Sequence, residues 1–196
     1  MINISTYLAE VLKVPKEAVV TCTHLYVERR VKKGEILLRE GEVCNGTFFV
    51  ESGILRMYSI DKNGKDHIIQ FAPENWLISD RSSQYFNDKS IYFIDAVEDS
   101  KVVYLKNDFF MKVHELFPNT VENNELLLHK HIRGLQKRLN SLLSDTAEER
   151  YLSFIKMYPN LMLRAPQWMI ASYLGITPES LSRVRKELTR KNFKTN

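Results

Sequence analysis

The spacing of apolar residues changes once along this chain of 196 residues, near Leu105. From about Tyr26 to Leu105, short β-rich runs such as GTFFVES, HIIQFA and KVVYL alternate with glycines or charged turn residues, and Asn63-Gly64 is a strong hairpin signal. This pattern is typical of a barrel or sandwich. The first 24 residues predict a short helix that Pro15 interrupts, and beyond Leu105 the spacing is helical. We therefore expect an α+β fold in which an antiparallel, jelly-roll-like β-roll precedes a helical region.

The helical part divides again. Residues 118–144 predict one long helix, and Thr146 and Glu149 fit a capping box that begins another. The expected organisation is an N-terminal helix with a β-roll sensor domain over residues 1–117, the long helix, and a helical or short-winged domain over residues 145–196.

Charge is unevenly distributed along the chain. Residues 1–128 hold 15 Lys and Arg against 19 Asp and Glu, whereas residues 129–196 hold 13 against 5. A mildly acidic body with a basic end is typical of a nucleic-acid-binding domain attached to another module. No segment has the apolar length of a membrane span or the layout of a signal peptide. Cys22 and Cys44 lack metal-binding spacing, which predicts a reducing cytoplasm and no metal site.

Near the C-terminus, two predicted helices are separated by a tight turn. The first is QWMIASYL, residues 167–174, and Gly175 is suited to end it in a left-handed conformation. Thr177 is a good N-cap for the second helix, and Pro178 fits its first position without losing a hydrogen bond. This pattern predicts a helix-turn-helix, although a generic helical hairpin has the same geometry.

The polar face of the second helix favours DNA recognition. This face carries charged residues three or four positions apart, and they begin at the N-terminal end of the helix. A recognition helix directs this end into the major groove of DNA. Arginine pairs bidentately with guanine, and a carboxylate accepts from the cytosine amino group. The candidate DNA-binding residues are Thr177, Glu179, Ser180, Ser182, Arg183, Lys186 and Arg190.

The long predicted helix carries an apolar seam with alternating spacings of four and three, which is typical of a coiled coil. Glu125 interrupts the seam near its start, and Leu126, Leu127 and Leu143 form a second flank expected to pack on the chain's own domain. The helix is therefore expected to form a homodimer through Leu128, Ile132, Leu135, Leu139 and Leu142.

Two stretches of the chain resemble the Crp/Fnr family of bacterial transcription regulators. Residues 32–76 resemble the first part of the family's cyclic-nucleotide-binding β-roll, and residues 170–188 resemble its helix-turn-helix. The resemblance implies that Glu179 and Arg183 read bases. Pro178 stands where the family often has a further contacting arginine, and the family's β-hairpin wing is expected to be vestigial or absent here.

The resemblance also bears on the effector. Members that bind cAMP carry Gly-Glu, which holds the ribose, and further along Arg-Ser/Thr-Ala, which binds the cyclic phosphate. Different residues stand at those positions here, and the Fnr-type cysteine cluster is missing from the sequence. We therefore expect neither cAMP nor an iron–sulfur cofactor, and the effector is unknown. The candidate pocket residues are Trp76, Ile78, Ser79, Lys89, Ser90 and Ile91.

Two other classes of protein remain open at this point. A cupin-like enzyme would need several histidine and carboxylate ligands on strands, but only His67 of the five histidines lies in the strand region. A protein-binding adaptor could use its basic end for something other than DNA. Our interpretation is a non-enzymatic, homodimeric, cytoplasmic regulator. Its candidate partners are double-stranded DNA, a second copy of the chain and RNA polymerase.

Overall fold

The computed structural model of the chain describes residues 3–194. It begins with a short helix α1 (Ile4–Thr6), which continues as a π-helical segment (Tyr7–Val11). After Pro15, a 3₁₀ segment covers Lys16–Leu25. The sequence thus predicts the break at Pro15 correctly, but helical geometry resumes beyond it because a proline at the start of a helical segment has no N–H to leave unpaired.

Eight strands follow, arranged in two antiparallel sheets. They are β1 (Tyr26–Val31), β2 (Ile36–Leu38), β3 (Gly46–Ser52), β4 (Leu55–Ile60), β5 (Asp66–Ala72), β6 (Leu77–Ile78), β7 (Phe93–Ala96) and β8 (Ser100–Lys106). One sheet has the order β1-β8-β3-β6 and the other has the order β2-β7-β4-β5. The predicted antiparallel β-roll is confirmed.

The two sheets enclose an apolar core. Alternate strand residues point inward, as the period of two requires, so that Phe48, Val50 and Val102 from one sheet meet Leu55 and Ile94 from the other. Burial of these side chains is the main force that holds the roll together.

The helices lie mainly after the roll. They are α2 (Arg81–Phe86), α3 (Phe109–Leu116), α4 (Thr120–Ser144), α5 (Ala147–Met157), α6 (Leu161–Arg164), α7 (Gln167–Leu174) and α8 (Pro178–Lys194). The capping box is confirmed, because Thr146 accepts from the Glu149 N–H and the Glu149 carboxylate accepts from the Thr146 N–H. Within the described residues, everything after Thr120 is helix or connecting loop, and no helix is long and apolar enough to cross a membrane.

The C-terminal helices pack directly against the roll. The ring of Phe71 in β5 lies 5.5 Å from that of Tyr173 in α7, within a cluster of aromatic and aliphatic side chains from both parts. At the edge of this cluster, Arg164 forms ion pairs with Glu74 and Glu98 of the roll, and this pairing raises the pKa of Arg164. The contact between the two parts is therefore apolar at its centre and charged at its rim.

Candidate functional site

The turn between α7 and α8 is built by local hydrogen bonds. Gly175 has a φ of 67°, and the next residue, Ile176, donates its N–H to the Ala171 carbonyl over 3.0 Å. Thr177 then accepts from the Ser180 N–H over 3.2 Å, which confirms its prediction as the N-cap. The sequence folds this way because glycine tolerates the left-handed conformation that reverses the chain between the two helices.

Helix α8 has one buried face and one exposed face. Leu181 and Val184 are buried, Leu181 within the cluster that α7 and the roll share, so they fix the orientation of the helix. Of the predicted DNA-binding residues, Ser180 is half-buried and the others are exposed, namely Thr177, Glu179, Ser182, Arg183, Lys186 and Arg190. A continuous polar surface therefore starts at the N-terminal end of α8.

The charges on α8 are divided between two sides. Glu179 is ionised at neutral pH, since hydrogen bonds from its own N–H and from Thr177, with a smaller effect of the Arg183 charge, lower its pKa. Lys191 lies on another side of the helix and forms an ion pair with Glu148 of α5 over 2.7 Å. Arg183, Lys186 and Arg190, by contrast, form no ion pair among the described residues.

Helix α4 exposes apolar side chains along most of its length. Thr120 is its only fully buried residue among those described. Leu128 is half-buried, whereas Ile132, Leu135, Leu139 and Leu142 are exposed by 39–60%. We refer to these five predicted seam residues, together with Val121, as the apolar stripe, and most of its side chains are exposed.

The second flank of α4 differs from the prediction. Leu127 packs against the N-terminal helices, as expected, but Leu126 and Leu143 are exposed by 52% and 80%. The prediction for Leu126 and Leu143 is wrong because only one narrow side of α4 approaches the body of the chain, and neither residue lies on that side.

A long groove separates α4 from the roll and from α5 and α7. Its volume is about 790 Å³. Arg138 bridges the groove by donating to the carbonyls of Ile68, Ile69 and Tyr173, and its guanidinium carbon lies 3.9 Å from the centre of the Tyr173 ring. The sequence gives no signal for this role, since the acceptors are main-chain groups far away along the chain.

The histidines and cysteines do not form a metal site. Among residues 3–194 there is no group of three or more His, Cys, Asp or Glu side chains that could hold an ion. Cys22 and Cys44 are buried and unpaired, and burial raises the pKa of both thiols.

Known proteins with similar sequences are transcription regulators. Residues 28–116 match the family model of the cyclic nucleotide-binding domain. The chain is 27% identical over 169 residues to the transcriptional activator protein FnrA of Stutzerimonas stutzeri, covering 80% of this chain and 68% of that protein. It is 28% identical over 172 residues to the transcriptional activator protein anr of Pseudomonas aeruginosa, with the same coverage of each. Together these matches support a transcription regulator of the Crp/Fnr type.

A solved structure shares the fold of this chain. FixK2 from Bradyrhizobium japonicum is 20% identical, with a TM-score of 0.72, and the match covers 85% of this chain and 86% of that one. At this identity the likeness establishes the fold only. The Crp/Fnr relatives are transcription regulators and not enzymes, so the cupin-like alternative is dropped.

The residues at the Crp/Fnr cyclic-nucleotide positions have structural roles here. Ile78 is 1% exposed and packs between the sheets. The Ser90 hydroxyl accepts from the Tyr92 N–H over 3.1 Å, and its backbone pairs with Gly41 and Glu42. Both residues are thus occupied by contacts within the roll.

The other four predicted pocket residues lie in two different surroundings. Lys89 and Ile91 are exposed, whereas Trp76 and Ser79 line the groove beside α4. Two of the six predicted pocket residues therefore border this groove, and the effector pocket as a whole stays a prediction. The loop after α2 is held to the loop between β2 and β3 through the backbone of Ser90.

Proposed function

We propose that this Crp/Fnr-type regulator binds a palindromic DNA sequence as a homodimer. In this proposal, α8 enters the major groove, and Glu179 and Arg183 contact base edges. Lys186 and Arg190 lie further along the same face and contact phosphates. Two copies of the helix would then meet half-sites about one helical turn apart, roughly 34 Å.

The observation that carries the proposal is the exposed polar face of α8. Its charged side chains lie on a helix whose opposite face is anchored by Leu181 and Val184, so the face is presented on a rigid support. Side chains held in this way lose less conformational entropy on binding than side chains of a mobile loop. The excess of positive charge in residues 129–196 also favours association with the phosphate backbone.

The homodimer part of the proposal rests on α4. An apolar stripe of this length on a soluble domain is favoured only when another surface covers it. The heptad spacing of its residues suits the same stripe of a second copy, since identical helices related by a two-fold axis present complementary knobs and holes. A two-fold dimer also explains why the DNA sequence should be palindromic.

The effector part of the proposal is that the roll does not respond to cAMP. A cyclic phosphate is an anion, and a desolvated anion needs a charged or hydrogen-bonding partner. Ile78 and Ser90 replace the residues that supply the close approach and the charge in cAMP-binding members, and both are held inside the roll. Lys89, the cation that precedes Ser90 in the sequence, is exposed.

A selection from random double-stranded DNA tests the proposal. The wild-type protein should enrich sequences with two inverted half-sites. Arg183→Ala should weaken binding to the selected site by about 1–3 kcal/mol and relax the preference at one position in each half-site.

Arg185→Ala is the matched control, because it removes the same charge from an exposed position outside the recognition face of α8. It should retain the base preference and lose only non-specific affinity. Equal selected motifs for wild type and Arg183→Ala, or a motif without inverted symmetry, would refute the proposal.

A further inference from the structure

Strand β5 is the last strand of its sheet, whose order is β2-β7-β4-β5. The main-chain groups along its outer side therefore have no partner strand among the described residues, and such an edge must be paired or covered. The pairing of β4 with β5 also shifts between Met57 and Tyr58, so Ile69 is an extra residue on β5 without a partner in β4. Strand β5 thus carries main-chain groups that need partners from outside its own sheet.

Ser172 of α7 is the partner of two of these groups. Its hydroxyl donates to the Asp66 carbonyl over 2.8 Å and accepts from the Ile68 N–H over 3.0 Å. Asp66 and Ile68 are two positions apart, so this one side chain bonds the same two groups that a residue of a parallel neighbouring strand would bond. A hydroxyl can do this because it is both a donor and an acceptor. Helix α7 is therefore held at one register along the edge of β5.

Arg138 of α4 binds the same edge. Its guanidinium donates to the carbonyls of Ile68 and Ile69 on β5 and, over 3.0 Å, to the carbonyl of Tyr173 in α7. A planar guanidinium presents its N–H groups in fixed directions, so these three acceptors must keep their relative positions for all of the bonds to persist. One side chain of the long helix thus joins the roll and α7 at a single place.

These bonds differ from the other contacts between the roll and the C-terminal helices. The aromatic cluster is held by apolar burial, which is not directional and does not by itself specify one orientation. Arg164 pairs with the side chains of Glu74 and Glu98, which can move with it, and ion pairs that are partly exposed contribute little. Ser172 and Arg138 instead bind main-chain groups that the sheet holds in place. They are therefore the contacts that define the orientation of α7.

The orientation of α7 determines that of α8. The two helices are joined by the turn at Gly175, and Leu181 of α8 is buried in the cluster that α7 and the roll share. The C-terminal helices are connected along the chain to α4 only through Asp145 and Thr146, which lie between α4 and α5. A body attached through one short connection can rotate about it, and a second attachment at the edge of β5 prevents that rotation.

We propose that Ser172 and Arg138 are positioning residues for DNA recognition. By binding main-chain groups of β5, they fix α8 relative to α4 and so set the distance and the rotation between the two copies of α8 in the dimer. The protein then accepts one spacing between half-sites. The inference rests on the proposed function for the dimer and for the entry of α8 into DNA, and one of its two tests is made without DNA, so that failure of one is distinguishable from failure of the other.

Ser172→Ala and Ser172→Thr are matched variants, since they remove and retain the hydroxyl. One base pair inserted between the half-sites moves the second half-site by about 3.4 Å and rotates it by about 35°. Wild type and Ser172→Thr should lose at least about tenfold in affinity for the selected site on this insertion, whereas Ser172→Ala should lose less than about threefold. A substitution that only destabilised the fold would weaken binding to both DNAs equally and leave this ratio unchanged. Equal ratios for Ser172→Ala and wild type would overturn the proposal.

Arg138→Met retains the apolar stem of the side chain and removes its donors. It should relax the spacing preference at least as much as Ser172→Ala, because the carbonyls of Ile68, Ile69 and Tyr173 lose a shared donor. The same pair of DNAs measures the ratio. A ratio for Arg138→Met equal to that of wild type would contradict the role assigned to Arg138.

Residual dipolar couplings of backbone amides in the full chain without DNA test the orientation directly. Couplings from the roll and from α5–α8 should fit one alignment in wild type and in Ser172→Thr. In Ser172→Ala the two sets should differ in magnitude, because α5–α8 rotate against the roll. One common alignment in Ser172→Ala would overturn the proposal. Separate alignments in this variant, without any selected inverted DNA for wild type, would support the fixed orientation and contradict the proposed function.

Discussion

Helices α4 and α8 expose surfaces of opposite character. The exposed face of α8 is charged, and its other face is anchored by buried Leu181 and Val184. Helix α4 exposes the apolar stripe between charged and polar side chains, and among the described residues only Thr120 anchors the helix by full burial. Hydrophobic burial determines how α8 sits on the domain, whereas α4 carries much of its apolar surface outside the core.

This difference indicates what each helix is expected to bind. A polar, positively charged face that is held rigidly suits a charged partner such as DNA, for which desolvation is compensated by ion pairs and released counterions. An apolar face suits a partner that is also apolar, and burial of such a face stabilises by about 25 cal/mol per Å². The following experiments separate these two kinds of surface.

The largest effect is expected for Leu135→Glu in the apolar stripe. In a symmetric dimer this change brings two carboxylates together in an apolar interface, where an unpaired charge is very unfavourable. Sedimentation velocity should show a monomer, and DNA binding should collapse because one half-site offers too few contacts. Leu139→Glu should behave in the same way, and it changes a stripe residue outside the groove.

Leu126→Glu is the control for this experiment. Leu126 is an exposed leucine on the same helix but outside the stripe, so the added charge should remain in water and leave the dimer intact. If Leu135→Glu and Leu126→Glu both sediment as dimers, the stripe is not the dimer interface. Helix α4 would then not bind an apolar partner through the stripe.

The second-largest effect is expected for Gly175, which lies in the turn between α7 and α8 and close to α4. Its φ of 67° is unfavourable for other residues, and a Cβ added there would lie 3.2 Å from Leu142 Cδ2 of α4. Gly175→Ala should therefore lower the free energy of unfolding by about 1–2 kcal/mol in urea titrations. Gly64→Ala is a control in the β4–β5 hairpin with a φ of 77° and no neighbour within 4 Å. A Gly175→Ala cost no larger than that of Gly64→Ala would mean that the contact with α4 is unimportant.

The sequence predicts α8 better than α4, and the reason is local. Thr177, Pro178 and Gly175 determine the start of α8 through hydrogen bonds and backbone conformations within a few residues. The strands of the roll are similarly marked by alternation and by turn residues. Features of this kind can be predicted from a single sequence because the interacting groups are neighbours along the chain.

The groove and the exposure of Leu126 and Leu143 depend on contacts between distant segments. Arg138 meets the carbonyl of Ile69, 69 residues away, and helical spacing alone cannot say which side of α4 faces the roll. The same holds for Ile78 and Ser90, which are recognisable by their position in the sequence but not by the contacts that occupy them. Such features follow from tertiary packing.

A smaller effect is expected for the phosphate contacts of α8. Lys186→Ala and Arg190→Ala should weaken binding to selected and random DNA to the same extent, because phosphates carry no sequence information. Each should lower the slope of log affinity against log salt by about one unit. Fluorescence anisotropy at several salt concentrations measures this slope. A loss of base preference in Lys186→Ala would instead place its side chain on a base edge.

The smallest effect is expected for cAMP, which should alter neither helix surface. The stabilisation that a ligand gives to the state it binds grows with the logarithm of its concentration once that exceeds the dissociation constant, so a nucleotide far below its dissociation constant shifts nothing. The charged partner that a cyclic phosphate needs is missing at Ser90, whose hydroxyl pairs with the backbone of Tyr92. Losing such a charge-assisted bond reduces affinity on the order of a hundredfold.

At micromolar cAMP or cGMP, calorimetry should detect no binding, and dimerisation through α4 and DNA binding through α8 should remain unchanged. A low-micromolar dissociation constant for cAMP would contradict this and would identify exposed Lys89 as the residue to substitute next, since it is the nearest cation to the cassette positions in the sequence.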